Sequence, residues 1–316
     1  MTDKAGPIKQ RLSGRIPAGE VRVEMGGIVC SFLFTRPEDY RSSRIIYDAF
    51  LTERPADIEV WLETVEHIDP ENLDTIMDGT TFTHADNRFW TSSQVASGNY
   101  DLSNAIISMV VERELGELTH HSNYRNTLMT LVYHSACRVK YGDGPVPSLL
   151  VNGCTVLCQD KGFIFTGMTR EIRNTIVNLF PTGTVTVLND ANILVSRGDQ
   201  GKEISLENPP LINSVPLQRS GTIPAGAVFF LTQGERSAVR KLDPAEAYVK
   251  LVRQVDNPAY IGQTSKREIY QVIADFSGNI VEHLPMYEIA VSADAGDGRD
   301  IIQGIENIVL EKEMVI

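Results

Sequence analysis

Three groups of side chains in this chain have the types and spacing to do chemistry. Glu117 and His120 stand three apart, with Glu114 and His121 beside them. On a helix that spacing puts a carboxylate and an imidazole on one face, the pairing that di-iron carboxylate bundles use to hold metal. Such sites take the motif from two helices and the chain supplies it once, so these residues read as polar groups on an outer helix face. His134 and Cys137 repeat the spacing with a base and a thiol. A nucleophilic cysteine also requires an oxyanion site and an electropositive setting, and neither is legible nearby. Asp294 and Asp300 flank Gly296-Asp-Gly298; the carboxylates suit calcium, but not at the spacing of an EF-hand loop.

The familiar signatures are missing. There is no G-x-x-x-x-G-K-[ST], no G-x-G-x-x-G after a strand, no G-x-S-x-G and no H-E-x-x-H. The four cysteines, Cys30, Cys137, Cys154 and Cys158, are even in number, but a chain this long needs no disulfide framework. Cys154 and Cys158 fall on one face of a strand, too far apart for a disulfide and not in a Cys-x-x-Cys arrangement. All four are expected to be reduced and buried. The expectation is therefore a protein that is not an enzyme, with no catalytic, cofactor-binding or metal-ligating residue and no cofactor.

The elements carrying these groups follow from the apolar pattern. Val21 to Met25 and Ile28 to Phe34 flank Gly26-Gly27, which predicts a hairpin. Pro37 opens a helix through Ile45, Ile46 and Phe50, with Pro55 beyond its end. Ile58, Val60 and Leu62 alternate with acidic residues, as a half-exposed strand does. Gly79 to Asn99, rich in Thr, Ser, Asn and Gly with Phe82, Phe89 and Trp90 among them, suits a long loop or a loosely paired hairpin. Asp101 then caps the strongest helical pattern. Ile107, Val111, Leu115 and Leu118 form a stripe that Tyr124, Leu128, Leu131, Val132 and Val139 continue. Unbroken, that helix is roughly 55 Å long at the α-helical rise.

Gly142-Asp-Gly-Pro145 and Pro147 end it. Thr155 to Cys158 and Phe163 to Phe165 are strands, and Thr169 caps a helix buried through Ile172, Ile176, Leu179 and Phe180. A strand-like run, Thr184 to Val195, a polar excursion and a second run from Ile223 through Val228-Phe-Phe-Leu231 come next. That second run, like Ile301-Ile302, suits either a core or a subunit contact. Asp243-Pro244-Ala-Glu246 starts a helix with Pro at its first position and Tyr248, Leu251, Val252 and Val255 as its apolar face. Glu268 to Phe276 fits a helix through Ile269, Val272, Ile273 and Phe276, and equally a strand through Ile269-Tyr-Gln-Val-Ile273. No internal repeat of 20 to 50 residues is visible, which argues against a solenoid or propeller.

At 316 residues the chain is one large domain or two ordinary ones. No apolar run approaches a bilayer span, and Met1-Thr-Asp-Lys lacks the character of a secretory signal, so a soluble, unsecreted protein without a membrane partner is expected. The net charge of -12 argues against a nucleic-acid reader that uses its whole surface. Charge is uneven, however. Residues 1–19 carry Lys4, Lys9, Arg11 and Arg15 against Asp3, whereas Glu53 to Asp78 carries nine carboxylates against Arg54. A basic arm and an acidic flank attract each other between neighbouring copies.

This order of arm, polar loop, long helix, strand and short helix, strand, excursion, and a strand ending at Arg236-Ser-Ala-Val239 resembles the major capsid proteins of tailed phages, the Hong Kong 97 type of fold. In residues the resemblance is carried by Ile223 to Val239. It implies an α+β fold with a long spine helix, peripheral and axial domains, an N-terminal arm and an extended loop. The limits it implies are 1–35 for the arm and hairpin, 36–150 for the extended loop and spine helix of the peripheral domain, 151–240 for the axial domain, and 241–316 for the closing peripheral segment and acidic tail. The implied function is that of a structural protein of a bacteriophage virion that self-assembles into an icosahedral capsid enclosing DNA. Its partners are then copies of itself in capsomers and shell, other virion proteins, and packaged DNA only non-specifically, with assembly in the host cytoplasm. Other readings are a tail tube or sheath subunit, or a cytoplasmic enzyme using Cys137 with His134 or a metal at Glu117 and His120.

Overall fold

The structure is a computed structural model that describes residues 16–66, 82–85, 88–91, 96–112, 122–141, 146–167, 185–198, 201–211, 221–235, 238–255, 266–291, 305 and 307–308. It is of mixed α and β composition, in the α+β class, with two sheets and few helices among the described residues. The chain forms two compact units. Unit 1 is Met1–Pro145 with Pro210–Ile212 and Asn257–Ile269, and unit 2 is Val146–Pro209, Asn213–Asp256 and Tyr270–Ile316.

Unit 1 is built on strands β1 (Gly19–Met25), β2 (Ile28–Phe34), β3 (Ile58–Val65), β4 (Phe82–Ala85), β5 (Arg88–Thr91), β6 (Ala96–Asp101) and β7 (Ile106–Glu112), in the sheet order β1-β2-β3-β7-β6-β5-β4. β1 and β2 form the expected hairpin. Gly26 and Gly27 both take positive φ, 58° and 73°, which a two-residue turn matched to strand twist requires. β3 runs parallel to β2 and β7 parallel to β3. A parallel pair needs a crossover, and helix α1 (Pro37–Ile46) lies in it, opened by Pro37 and with Glu38 and Asp39 in its first turn. β4, β5 and β6 are antiparallel neighbours that lead back to β7, so the paired-hairpin alternative for Gly79 to Asn99 holds over the described strands. Helix α2 (Ser122–Tyr141) packs on β2 and β3.

The long spine helix is corrected by β7. Ile107 and Val111 stand four apart, as a helix allows, but Ile106 to Val111 is a run rich in β-branched side chains. It is buried on both faces, with Ile107 and Met109 inside on one and Ser108 and Val110 on the other. A run of that kind fits a central parallel strand better than an amphipathic helix. Asp101 caps a 3-10 turn over Leu102–Asn104 instead, its carboxylate accepting from Asn104 N at 3.2 Å and Ser103 Oγ at 2.6 Å. Among the described residues of the expected spine, what is helical is α2, 20 residues or about 30 Å at the α-helical rise.

Unit 2 contains β8 (Ser148–Asn152), β9 (Cys154–Cys158), β10 (Lys161–Thr166), β11 (Thr186–Asn189), β12 (Asn192–Arg197), β13 (Ile204–Glu207), β14 (Ile223–Gln233), β15 (Ala238–Lys241) and β16 (Met286–Val291). The order is β11-β9-β10-β14-β13-β12-β8, with β16 pairing β14 and β15. β14 is the axis. Its start pairs antiparallel with β13, while its remainder runs parallel to β10 on one side and β16 on the other. Val228, Phe229, Phe230 and Leu231 are all buried, so this run is core. Phe229 stacks between Phe165 at 5.0 Å and Tyr287 at 5.4 Å, inside a cluster with Cys154, Val156, Phe163, Leu231 and Ile289.

Helix α3 (Pro244–Val252) starts as its sequence indicates, with the Asp243 carboxylate accepting from the backbone N–H groups of Ala245 and Glu246, each at 3.0 Å. Helix α4 (Lys266–His283) resolves the ambiguity of Glu268 to Phe276. Ile273, Phe276 and Ile280 are buried at spacings of three and four, and that longer periodicity outweighs local strand propensity. The strand-like run Thr184 to Val195 is also corrected: it breaks at Asn189-Asp190-Ala191 into β11 and β12, which pair with different neighbours. An Asn-Asp pair favours a turn through its own side-chain hydrogen bonds.

Candidate functional site

Of the residues singled out in the sequence, His134 and Cys137 are the pair the structure describes. Both lie in the part of α2 where Val132 to Cys137 are all buried. Burial pushes the His134 pKa down to about 4, so the ring is neutral. Burial also pushes the Cys137 thiol up to about 12, against the opposing hydrogen bond with Tyr133 and the charge of Lys140. Cys30 is raised by the same cause. A thiol held protonated and away from solvent is no nucleophile at neutral pH. All four cysteines are thiols outside any disulfide, and Cys30, Cys137 and Cys154 are buried. Glu114, Glu117, His120, His121, Asp294, Asp297, Asp300, the helix expected from Thr169, Ile301-Ile302 and the arm up to Arg15 lie outside the described residues. Among the described residues no group of three or more His, Cys, Asp or Glu side chains is placed to hold a metal ion.

Unit 2 brings together a different set, at the carboxyl end of β10. Phe165 on β10 pairs with Cys154, the first residue of β9, and Thr155 on β9 pairs with Asn189, the last residue of β11. The ends of β10 and β11 therefore meet at Gly153, whose N–H donates to Ala191 O at 2.9 Å. Three fully buried polar side chains gather there: Thr166, Asn189 and Asp190. Thr166 Oγ1 donates to Asn152 O and lies 3.1 Å from Gln254 Oε1, while Asn152 N donates to Gln254 O at 2.8 Å. Asn189 Oδ1 accepts from Ala191 N at 2.7 Å and Asn192 N at 2.9 Å, and its Nδ2 donates to the buried Asn208 Oδ1 at 2.8 Å. Thr155, also buried, leaves its Oγ1 without a hydrogen-bond partner among the described residues.

Gly167 follows Thr166 with φ of 77°. A Cβ there would stand 2.8 Å from Leu231 O, so both dihedral and space demand glycine. A strand in a parallel group that ends in a glycine turn is the place where α/β sheets seat ligands, outside the carboxyl ends of the strands. In sequence, Gly167 opens Gly-Met-Thr-Arg-Glu-Ile-Arg-Asn-Thr175. Aligned on Gly167, G-x-x-x-x-G-K-[ST] is matched only at that first Gly, with Ile172, Arg173 and Asn174 in place of the second Gly, the Lys and the Ser or Thr. The cluster supplies a carboxylate, a hydroxyl and amides, with no cysteine or histidine among the residues named. Thr166 and Asn189 spend their side-chain hydrogen bonds within the protein, and the residues named offer no nucleophile–base pair.

Sequence reading missed this site because its residues are ordinary one by one. Asn189-Asp190 inside an apolar run was the available signal, since a turn pair that interrupts two strand runs has a local reason to be there. Comparison of the chain with protein-family models and with curated proteins found no match to either.

Proposed function

We propose that the chain is a binding protein that seats a small phosphate-bearing molecule at the carboxyl ends of β10 and its parallel neighbours in unit 2. The carrying observation is the end of β10, where buried Thr166 and the obligatory glycine conformation at Gly167 stand beside the buried Asn189-Asp190 turn. Support comes also from the sequence after Gly167, which pairs an expected helix start at Thr169 with Arg170 and Arg173. A glycine turn that leads into a helix N-terminus favours anions through free N–H groups and the helix dipole. Asp190, buried at the turn, brings a carboxylate to the same edge. The missing lysine argues for binding without phosphoryl transfer of the P-loop kind. The test is calorimetric titration with inorganic phosphate, pyrophosphate and ATP, each with and without magnesium. Binding by the wild-type chain, weakened by Asp190→Asn, supports the reading; absence of binding by every probe overturns it.

A second reading is self-assembly, of which the phage shell implied by the sequence resemblance is one form. Its expected spine is shortened to α2 over the described residues. The observation favouring it is α1, which buries none of its residues and leaves the apolar Ile45 78 % exposed, where a second copy would cover it. Sedimentation velocity with negative-stain microscopy tests it. Closed shells support the capsid form, small oligomers a simpler assembly, and a monomer at high concentration sinks both.

A further inference from the structure

We infer that Asn208 is a positioning residue for the Asp190 turn, an inference that rests on the reading of this edge as a ligand site. Asn189 and Asn208 are both wholly buried, and burying two amides is unfavourable unless their polar atoms are bonded. Asn189 Oδ1 spends its acceptor capacity on the N–H groups of Ala191 and Asn192, closing the backbone around Asp190. The amide's other end donates to Asn208 Oδ1 at 2.8 Å. That bond sets which way the Asn189 amide faces. Turned over, its NH2 group would confront two N–H donors and its oxygen would confront the Asn208 oxygen.

The lock is non-local. Asn208 follows the end of β13, and Pro209-Pro210, both buried, succeed it with restricted φ and no N–H to donate. β11 pairs with β9, whereas β12, just past the turn, pairs with β8 and β13. Asp190 thus stands where the chain passes from one set of strands to the other. A turn held only by its own side chain would be free to fray at that point; tied to Asn208, its backbone keeps one geometry before any ligand arrives.

Asn208→Leu keeps the branched shape at a somewhat larger volume and removes the acceptor. We expect amide hydrogen exchange at Ala191 and Asn192 to speed up about tenfold, with Phe229 and Leu231 in the core unchanged, and pyrophosphate or ATP binding to weaken by a similar factor. Asn208→Ser, with a short hydroxyl acceptor, should fall between and serves if the leucine variant does not fold. Unchanged exchange at Ala191 and Asn192, or acceleration shared equally with Phe229 and Leu231, overturns the lock. Faster local exchange with unaltered affinity overturns the positioning role. If no probe binds the wild-type chain, the ligand reading and the positioning role fail together, while the exchange arm still decides whether the lock exists.

Discussion

Falling pH should destabilise unit 1 from within, through His134. The side chain is 2 % exposed, its Nε2 has no hydrogen-bond partner among the described residues, and burial moves its pKa from 6.5 to about 4. The folded state holds the ring neutral, whereas the unfolded chain takes up a proton as pH falls through 6.5. Its contribution is therefore complete above that value and is lost progressively as pH falls toward 4. At about 1.4 kcal/mol per pH unit over that window, the loss is about 3 kcal/mol, a large part of the roughly 5–15 kcal/mol that holds a typical domain together. The assay is built into the chain, since its two tryptophans, Trp61 and Trp90, both belong to unit 1. Urea denaturation followed by tryptophan fluorescence, from about pH 7 to about pH 4.5, reads that unit. His134→Gln removes the titration, and the wild-type minus variant difference cancels the other histidines. That difference should change steadily against the wild type as pH falls. A difference independent of pH would refute the reasoning and place a partner or water on the ring.

Four further outcomes follow from the packing. Phe229→Ala, which opens a hole between Phe165 and Tyr287, should cost about 3–5 kcal/mol in denaturant unfolding. Gly167→Ala should cost about 1–3 kcal/mol through its positive φ, together with the close approach of Leu231 O, and should lower the thermal transition more than Gly27→Ala, where nothing lies within 4 Å. Asp243→Ala removes two N-cap hydrogen bonds from α3 and should cost about 1 kcal/mol, seen as faster exchange of the Ala245 and Glu246 amides. In the native protein Cys158, half-buried, should react first with a thiol reagent, and Cys30, Cys137 and Cys154 only on unfolding; rapid labelling of Cys137 would contradict its raised pKa.

Local signals survived folding where the physics is local. Gly26-Gly27 demands positive φ at both residues, so the hairpin needed nothing beyond its own sequence. Pro37 and Asp243-Pro244 mark helix starts by removing or capping N–H groups that no helix can satisfy. The buried character of Val228 to Leu231 was likewise open to view, though not whether a core or a partner would cover it. The helix drawn through Asp101 to Lys140 failed for an equally physical reason. Apolar residues four apart serve a helix or a strand buried on both sides, and the parallel partner β3, far away in sequence, selected the strand at β7.

What the sequence by itself determined is local: a mixed α and β chain, the hairpin at Gly26-Gly27, and the helix starts at Pro37 and Asp243-Pro244. Tertiary structure alone decided which polar residues meet. Thr166, Asn189, Asp190 and Asn208 come from the ends of three strands, and only the pairing of β10 with β9 and β9 with β11 carries the first three to one edge, while the Asn189–Asn208 amide bond draws in the fourth. Registers of that kind are set by the burial of distant apolar faces such as Phe165, Phe229 and Ile289, and no window of neighbouring residues contains them.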